Sequence, residues 1–216
     1  MGDLSLRLLS VNVSRPRIIG EHNGEEILSA IDKKPVLGTS IEVKRINLAG
    51  DAQANLEKHG GPDKAVYAYS ADNWPWWERE HRFACHAGAF GENLTLAGGD
   101  ECAVSIGDVF SWGDVELEVS QPRVPCHKLQ FYSRRDDIGA LMTLSGRCGW
   151  YFRVRRTGLA PLTEGTLLRI NGGSSPSVRD TFAAAFDRRL EPRQRAAIAD
   201  VPMLSEAWRK RLLALA

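Results

Sequence analysis

"GDVFSWGDVELEVSQPRVPCHKLQ" (Gly107–Gln130) holds two runs of strand character split by Gly113-Asp114. Val109–Trp112 is β-branched and aromatic, and Val115–Val119 alternates apolar with acidic residues, the period of a half-buried strand. A two-residue Gly-Asp link between such runs is the chemistry of a tight hairpin. The second strand then runs into a proline bend, Gln121-Pro122-Arg123-Val124-Pro125, and straight on to Cys126, with Arg123 and Lys128 on either side of the thiol.

Similar short runs occur on both sides: "SLRLLSVNVS", "SIEVKRINL", "KAVYAYS", "GWYFRVRRTG" and "GTLLRI", each bounded by Gly, Pro or Asp. Many short strands with few helices predict a mainly β chain folded as a closed or nearly closed β-barrel. Two interspersed helices are expected. One is "DNWPWWEREHR", with Asp72 as cap and Pro75 in the first turn. The other is "DDIGALMTLSG", which starts at Asp136 or Asp137 and stops at Gly146.

The composition changes near position 173. All 20 glycines lie at or before Gly173, and "INGGSSP" reads as a linker. This divides the chain into a barrel domain, residues 1–172, and a small C-terminal three-helix appendage, residues 173–216. Ser177 with Asp180 resembles a capping box, Pro192 suits a first turn, and Ser205 can cap a third helix whose Trp208, Leu212 and Leu215 share a face. Three helices this short are unstable alone, so they must pack on each other or on the barrel.

The 216 residues are 43% hydrophobic and 25% charged with a net charge of +1, which suits a globular protein with a sizeable core. Nothing in that balance selects for nucleic acid or an anionic membrane. No apolar run approaches the ~20 residues of a spanning helix. The N-terminal stretch lacks the pattern of a secretory signal. The four cysteines (Cys85, Cys102, Cys126 and Cys148) form no CxxC pair, which weakens zinc-ribbon, thioredoxin and iron–sulfur readings. The expectation is a cytoplasmic protein with reduced thiols.

Cys126 is the first chemical candidate. Flanking cations stabilise a thiolate, which is both a nucleophile and a soft metal ligand. A buried structural cysteine fits the local sequence equally well. In an extended segment His127 points away from Cys126, which argues against a dyad. The Gly60-Gly61-Pro62-Asp63 turn can present backbone N–H groups to an anion, with His59 and Lys64 adding polar contacts. Glu92 and Asn93 follow Gly91, and the Asn93 amide has the donor and acceptor to meet a heterocycle edge. Taken singly, each of these segments also reads as an ordinary turn. Cys85, Cys102 and Cys148 are assigned to packing, Trp74, Trp76 and Trp77 to helix packing, "SRRDD" (Ser133–Asp137) to a helix start, and the basic residues of the tail to a solvated face.

Five segments in order, "KHGGPDKAVYAY", "FGENLT", "IGDVFSWG", "SQPRVPCHKL" and "GWYFRV", resemble the MOSC-domain family, named for the C-terminal domain of molybdenum-cofactor sulfurase. The similarity is greatest to its YiiM-like bacterial subgroup, tied to resistance to N-hydroxylated purines, and the tail resembles that subgroup's three-helix appendage. The resemblance implies a mostly β barrel and a molybdenum cofactor whose metal is ligated by the cysteine at position 126. By the same matching His59, Gly60, Gly61 and Lys64 would cradle the pterin or its phosphate, and Glu92 and Asn93 would line the pocket. Arg123 and Lys128 would balance the cofactor's charge.

The implied reaction is two-electron reduction of N-hydroxylated compounds (hydroxylaminopurine-type bases, hydroxylamines, amidoximes) to amines. No flavin or iron–sulfur pattern is visible, so a separate reductase is the expected electron donor. The length leaves no room for the pyridoxal-phosphate domain of full-length sulfurases, so neither pyridoxal phosphate nor sulfurase activity is expected. Two alternatives stand beside this reading. One is a non-catalytic molybdenum-cofactor carrier or sulfur-relay protein using Cys126. The other is a nucleic-acid-binding role for the tail, supported only by its eight basic against five acidic residues.

Overall fold

The computed structural model describes residues 4–54, 60–163 and 165–216. Twelve strands are described: β1 (Ser5–Val13), β2 (Arg17–His22), β3 (Glu25–Ser29), β4 (Lys34–Pro35), β5 (Ser40–Val43), β6 (Val66–Ser70), β7 (Leu94–Ala97), β8 (Val109–Trp112), β9 (Val115–Pro122), β10 (Trp150–Arg156), β11 (Gly158–Pro161) and β12 (Thr166–Asn171). Seven of them close a barrel in the order β12-β8-β9-β10-β6-β7-β1, with β12 pairing back onto β1. Every pair in the ring is antiparallel except β6–β7. Closure removes the exposed edges that a seven-strand sheet would otherwise present.

Gly113-Asp114 does join β8 to β9, with Trp112 opposite Val115 and Gly113 at φ +60°. A second tight hairpin joins β2 and β3 through Asn23 (φ +53°) and Gly24 (φ +81°), the Asn-Gly chemistry of such a turn, and the sequence reading passes over it.

Alternation sets what faces the core and what faces the site. Val66 and Ala68 of β6, and Trp150 and Phe152 of β10, are fully buried; Phe152 meets Phe110 and Trp150 edge to face. Tyr67 and Tyr151 are register partners on the opposite face. Their rings lie 5.3 Å apart, and they form part of the wall of the cavity described below.

Six helices are described: α1 (Trp74–His81), α2 (His127–Ser133), α3 (Ile138–Ser145), α4 (Val178–Phe186), α5 (Pro192–Ala199) and α6 (Glu206–Leu213). Several local expectations need correction. Asp72 does not cap α1: its carboxylate accepts from the Gly98 N–H, and the Ser70 hydroxyl caps the 3-10 turn that leads into the helix. Ser133 and Arg134 end α2 rather than open a helix. Leu215 lies beyond the end of α6 and is exposed, whereas Trp208 and Leu212 are buried. Cys102 is exposed, so it is not a packing residue. Arg195 is not part of a solvated face. It is buried, and its guanidinium donates to the carbonyls of Ala184 (3.0 Å), Asp187 (2.7 Å) and Leu190, clasping α5 to the end of α4.

The caps at Ser177 and Ser205 and the first-turn Pro192 are present as expected. Phe182, Trp208 and Leu212 belong to the same core cluster as the barrel interior. The Ser205 N–H donates to the Ser120 carbonyl of β9, and the Val178 N–H to the carbonyl of Val104. The three helices thus gain stability from the barrel, as their length requires. No helix among the described residues is long and apolar enough to cross a membrane.

Candidate functional site

A cleft opens outside the barrel wall, against Tyr67 and Tyr151. Its sides are the segment after β3 (Ser29 to Lys33), the turn at Asp51 to Ala54, the loop bearing Phe90, Gly91 and Asn93, and the bend carrying Arg123, Cys126 and Lys128; Lys64 also lines it. Together these walls enclose about 640 Å³ of unfilled space, mouth included.

Each wall has a local cause. Cys126 keeps extended dihedrals (φ −120°, ψ 160°) and is the residue from which α2 starts, so the proline bend delivers the thiol to the end of a strand and the head of a helix. Its side chain is half-buried and makes no capping hydrogen bond. The 3-10 turn Pro62–Lys64 is clamped because the Arg153 guanidinium pairs with the Asp63 carboxylate (Nε to Oδ1, 2.8 Å) and the Ser120 hydroxyl donates to the Asp63 carbonyl at 2.6 Å. Lys64 leaves that turn towards the cleft. Gly91 takes φ +78°, and a Cβ there would sit 2.6 Å from Ile31 Cγ1, so only glycine lets this loop close onto the segment that carries Lys33.

The cleft is cationic. Lys33, Lys64, Arg123 and Lys128 line it against one carboxylate among the described residues, that of Asp51. Lys33 is buried and donates to Asp51 Oδ1 at 2.5 Å. Asp51 also accepts from the Ser14 N–H at 2.9 Å and from Asn93 Nδ2 at 2.9 Å. Burial lowers the Lys33 pKa against the opposing pull of Asp51, and burial lowers that of half-buried Lys64 against Asp63. Lys128 Nζ donates to the Leu28 carbonyl at 2.6 Å, tying α2 to β3.

Arg123 is only 5% exposed. Its guanidinium lies 5.1 Å above the Tyr67 ring and 3.6 Å from Met142 Sδ, and no carboxylate among the described residues pairs with it. A guanidinium remains charged at any ordinary pH, so the cleft carries a buried positive charge with no carboxylate counterion among the described residues.

The residues singled out from sequence fall into three groups. Lys64, Asn93, Arg123, Cys126 and Lys128 share the cleft. Glu92, Gly60 and Gly61 are not among its lining residues, and His59 lies outside the described residues. Two roles change. Both N–H groups of the Asn93 amide are spent, on the Asn12 carbonyl and on Asp51, and its Oδ1 already accepts from the Tyr67 N–H, so it has no donor left for a heterocycle edge. Glu92 stands behind the wall as a brace. Its carboxylate accepts from the N–H groups of Gly88 (2.8 Å) and Phe90 (3.0 Å) and from the Thr95 hydroxyl (2.8 Å), while burial raises its pKa.

Glu92→Ala would strand those buried donors. The expected cost is on the order of 3 kcal/mol of stability, read as a fall in thermal midpoint. An unchanged midpoint would show that the loop does not depend on this brace.

Lys33, Asp51, Tyr67 and Tyr151 escaped the sequence reading. A lone lysine and a lone aspartate in turns look solvated, and the two tyrosines look like strand packing; only the long-range fold brings them together.

The donor set fits a metal that arrives inside an anionic cofactor. The described residues contain no group of three or more His, Cys, Asp or Glu able to enclose a metal ion. One soft thiol donor surrounded by four cations provides a single ligand and a seat for negative charge. The other thiols lie outside the cleft; burial pushes Cys85 up to about 12 and raises Cys102 and Cys148.

The sequence model of the MOSC domain matches residues 55–169. The uncharacterized protein YflK of Bacillus subtilis is 36% identical over 206 residues, covering 94% of this chain and 90% of that protein. A reductase of Gibberella moniliformis is 37% identical over 139 residues, covering 62% of this chain and 24% of that longer protein. The crystal structure of YiiM from Geobacillus stearothermophilus superposes with a TM-score of 0.79 at 30% identity, covering 97% of this chain and 98% of that one. The barrel, the family-model match and the end-to-end likeness to YflK and to the YiiM structure agree: the chain belongs to the MOSC domain family.

Proposed function

We propose that this protein is a molybdenum-cofactor-dependent reductase that converts N-hydroxylated compounds, such as hydroxylaminopurine-type bases and amidoximes, to amines. The observation that carries the reading is the placement of the Cys126 thiol in the same cleft as Lys33, Lys64, Arg123 and Lys128. The similarity to a protein named a reductase supports it.

Cys126 Sγ would hold the metal, and Arg123, Lys64 and Lys128 would neutralise the cofactor's phosphate and pterin oxygens. Lys33 would keep one N–H on Asp51 and turn the others inward. When bound, the cofactor supplies the two-electron chemistry at the N–O bond. The balance is R–NHOH plus two electrons and two protons, giving R–NH2 and water. The electrons would come from a separate reductase.

The test uses protein made in a host that synthesises the cofactor. Its molybdenum content is measured, and it is then assayed with hydroxylaminopurine and a reduced viologen. Stoichiometric metal with formation of the amine is the expected result. Metal without N–O reduction would overturn the enzyme reading in favour of a carrier or a sulfur relay through Cys126, and a persulfide on Cys126 by mass spectrometry would identify the relay.

A further inference from the structure

Cys126 is the shared wall of two concavities. Beyond the cationic cleft, a second, open groove runs between the proline bend and helices α2 and α3, past Pro125, Gln130, Gly139, Thr143 and Leu144. The two differ sharply in charge. No Lys, Arg, Asp or Glu lines the groove, whereas four cations line the cleft.

We propose that this groove seats the substrate, and that the substrate is a neutral, flat N-hydroxylated base or arylamidoxime whose N–O group reaches over the Cys126 edge towards the cleft. The inference rests on the reductase reading and adds to it where the substrate lies.

Electrostatics assigns the two partners. An anion gains most beside Arg123 and the lysines, which leaves the uncharged groove for a ligand that brings apolar surface rather than charge. Leu144 is 85% exposed on α3 beside this groove and offers apolar surface to a ligand there. Gly139 leaves the floor open. A Cβ built there would lie 3.9 Å from Gln130 Nε2 and 4.0 Å from Pro125 Cβ, ordinary contact distances, so a side chain at 139 would occupy the groove without displacing its walls.

The polar inventory also fits a neutral base. The Thr143 hydroxyl donates to the Gly139 carbonyl and Gln130 Nε2 gives one N–H to the Asp136 carbonyl. The acceptors on the groove's walls, Gln130 Oε1, the Thr143 oxygen and the His127 ring, suit the N–H edge of an amidine or aminopurine.

The test combines a plugged groove with a binding map. Gly139→Leu sits on a helix, where leucine is a good former. It should leave molybdenum content and turnover of hydroxylamine unchanged while raising KM for hydroxylaminopurine by at least about tenfold. Equal effects on the two substrates, or none, would overturn the assignment. If that variant does not fold, exposed Leu144→Ser replaces it, with the same comparison and a smaller expected rise.

The second arm needs no cofactor. Methyl NMR of the wild type titrated with adenine or benzamidine should shift Ala140, Thr143 and Leu144. Shifts confined to Ala30 and Ile31 of the cleft would overturn the proposal. A wild type that binds adenine at the Leu144 face but reduces nothing would sink the reductase reading and leave the groove standing.

Discussion

Cys126→Ser is expected to abolish molybdenum content and N–O reduction while leaving the protein as stable as the wild type, or slightly more stable. The two halves of this outcome have separate causes. Serine replaces the soft thiol with a hydroxyl that is a poor ligand for this metal, so the only thiol among the described residues of the cleft is lost. Stability is preserved because Cys126 contributes little to the fold: it is half-buried and makes no capping hydrogen bond at the head of α2. Serine at that position can accept from the free N–H groups of the first turn, which is worth about 1 kcal/mol where the geometry allows. Elemental analysis beside thermal unfolding reads both halves. Metal retained at wild-type level would mean that the thiol is not the ligand. A lower midpoint together with lost metal would return Cys126 to the buried structural role that its local sequence also allows.

The barrel could be read from sequence because its strands announce themselves locally. β8 and β9 show alternation and a Gly-Asp turn, and β6 and β10 show aromatic and β-branched runs. The closing pair, Ser5 with Leu168 across nearly the whole chain, leaves no local trace, so the closed ring had to be inferred from the number of strands. Helix α2 was missed because seven residues bury only Leu129 and give no clear period.

At the site, sequence could show which residue types lay near the thiol but not which of them were used up. Asn93 and Glu92 look like ligand contacts because they are polar and follow a glycine. The fold spends them on Tyr67, Asp51 and the backbone of the Gly88–Phe90 loop. Lys33 and Asp51, 18 positions apart, meet only because Gly91 lets its loop press against Ile31. Arg123 was readable as a cation near Cys126. Its burial without a carboxylate was not, and that condition gives the residue its energetic character.

Arg123→Met should therefore move stability and cofactor loading in opposite directions. In the wild type without cofactor, a guanidinium is held out of water with the Tyr67 face, the Tyr151 hydroxyl and a methionine sulfur beside it, and with no carboxylate partner among the described residues. A cation–π contact returns about 1–2 kcal/mol, less than the several kcal/mol of desolvation left on a buried ion without a counter-charge. Methionine fills much of the same volume with no charge to desolvate. The cofactor-free variant should thus gain about 1–3 kcal/mol, a rise of several degrees in thermal midpoint for a chain of this size. Loading should fall by about a hundredfold, because the removed charge is the one an anionic cofactor would compensate. Arg123→Lys separates charge from shape. It keeps the cation but loses the flat stack on Tyr67, so loading should fall less than with methionine and the gain in stability should be absent. Pyrophosphate titration by calorimetry on all three proteins, beside their melting curves, checks the set without the labile cofactor. A lower midpoint with unchanged anion binding in Arg123→Met would make Arg123 a strut of the barrel wall. A higher midpoint with weakened binding would mean that this fold tolerates a destabilising buried charge for the sake of the anion it awaits.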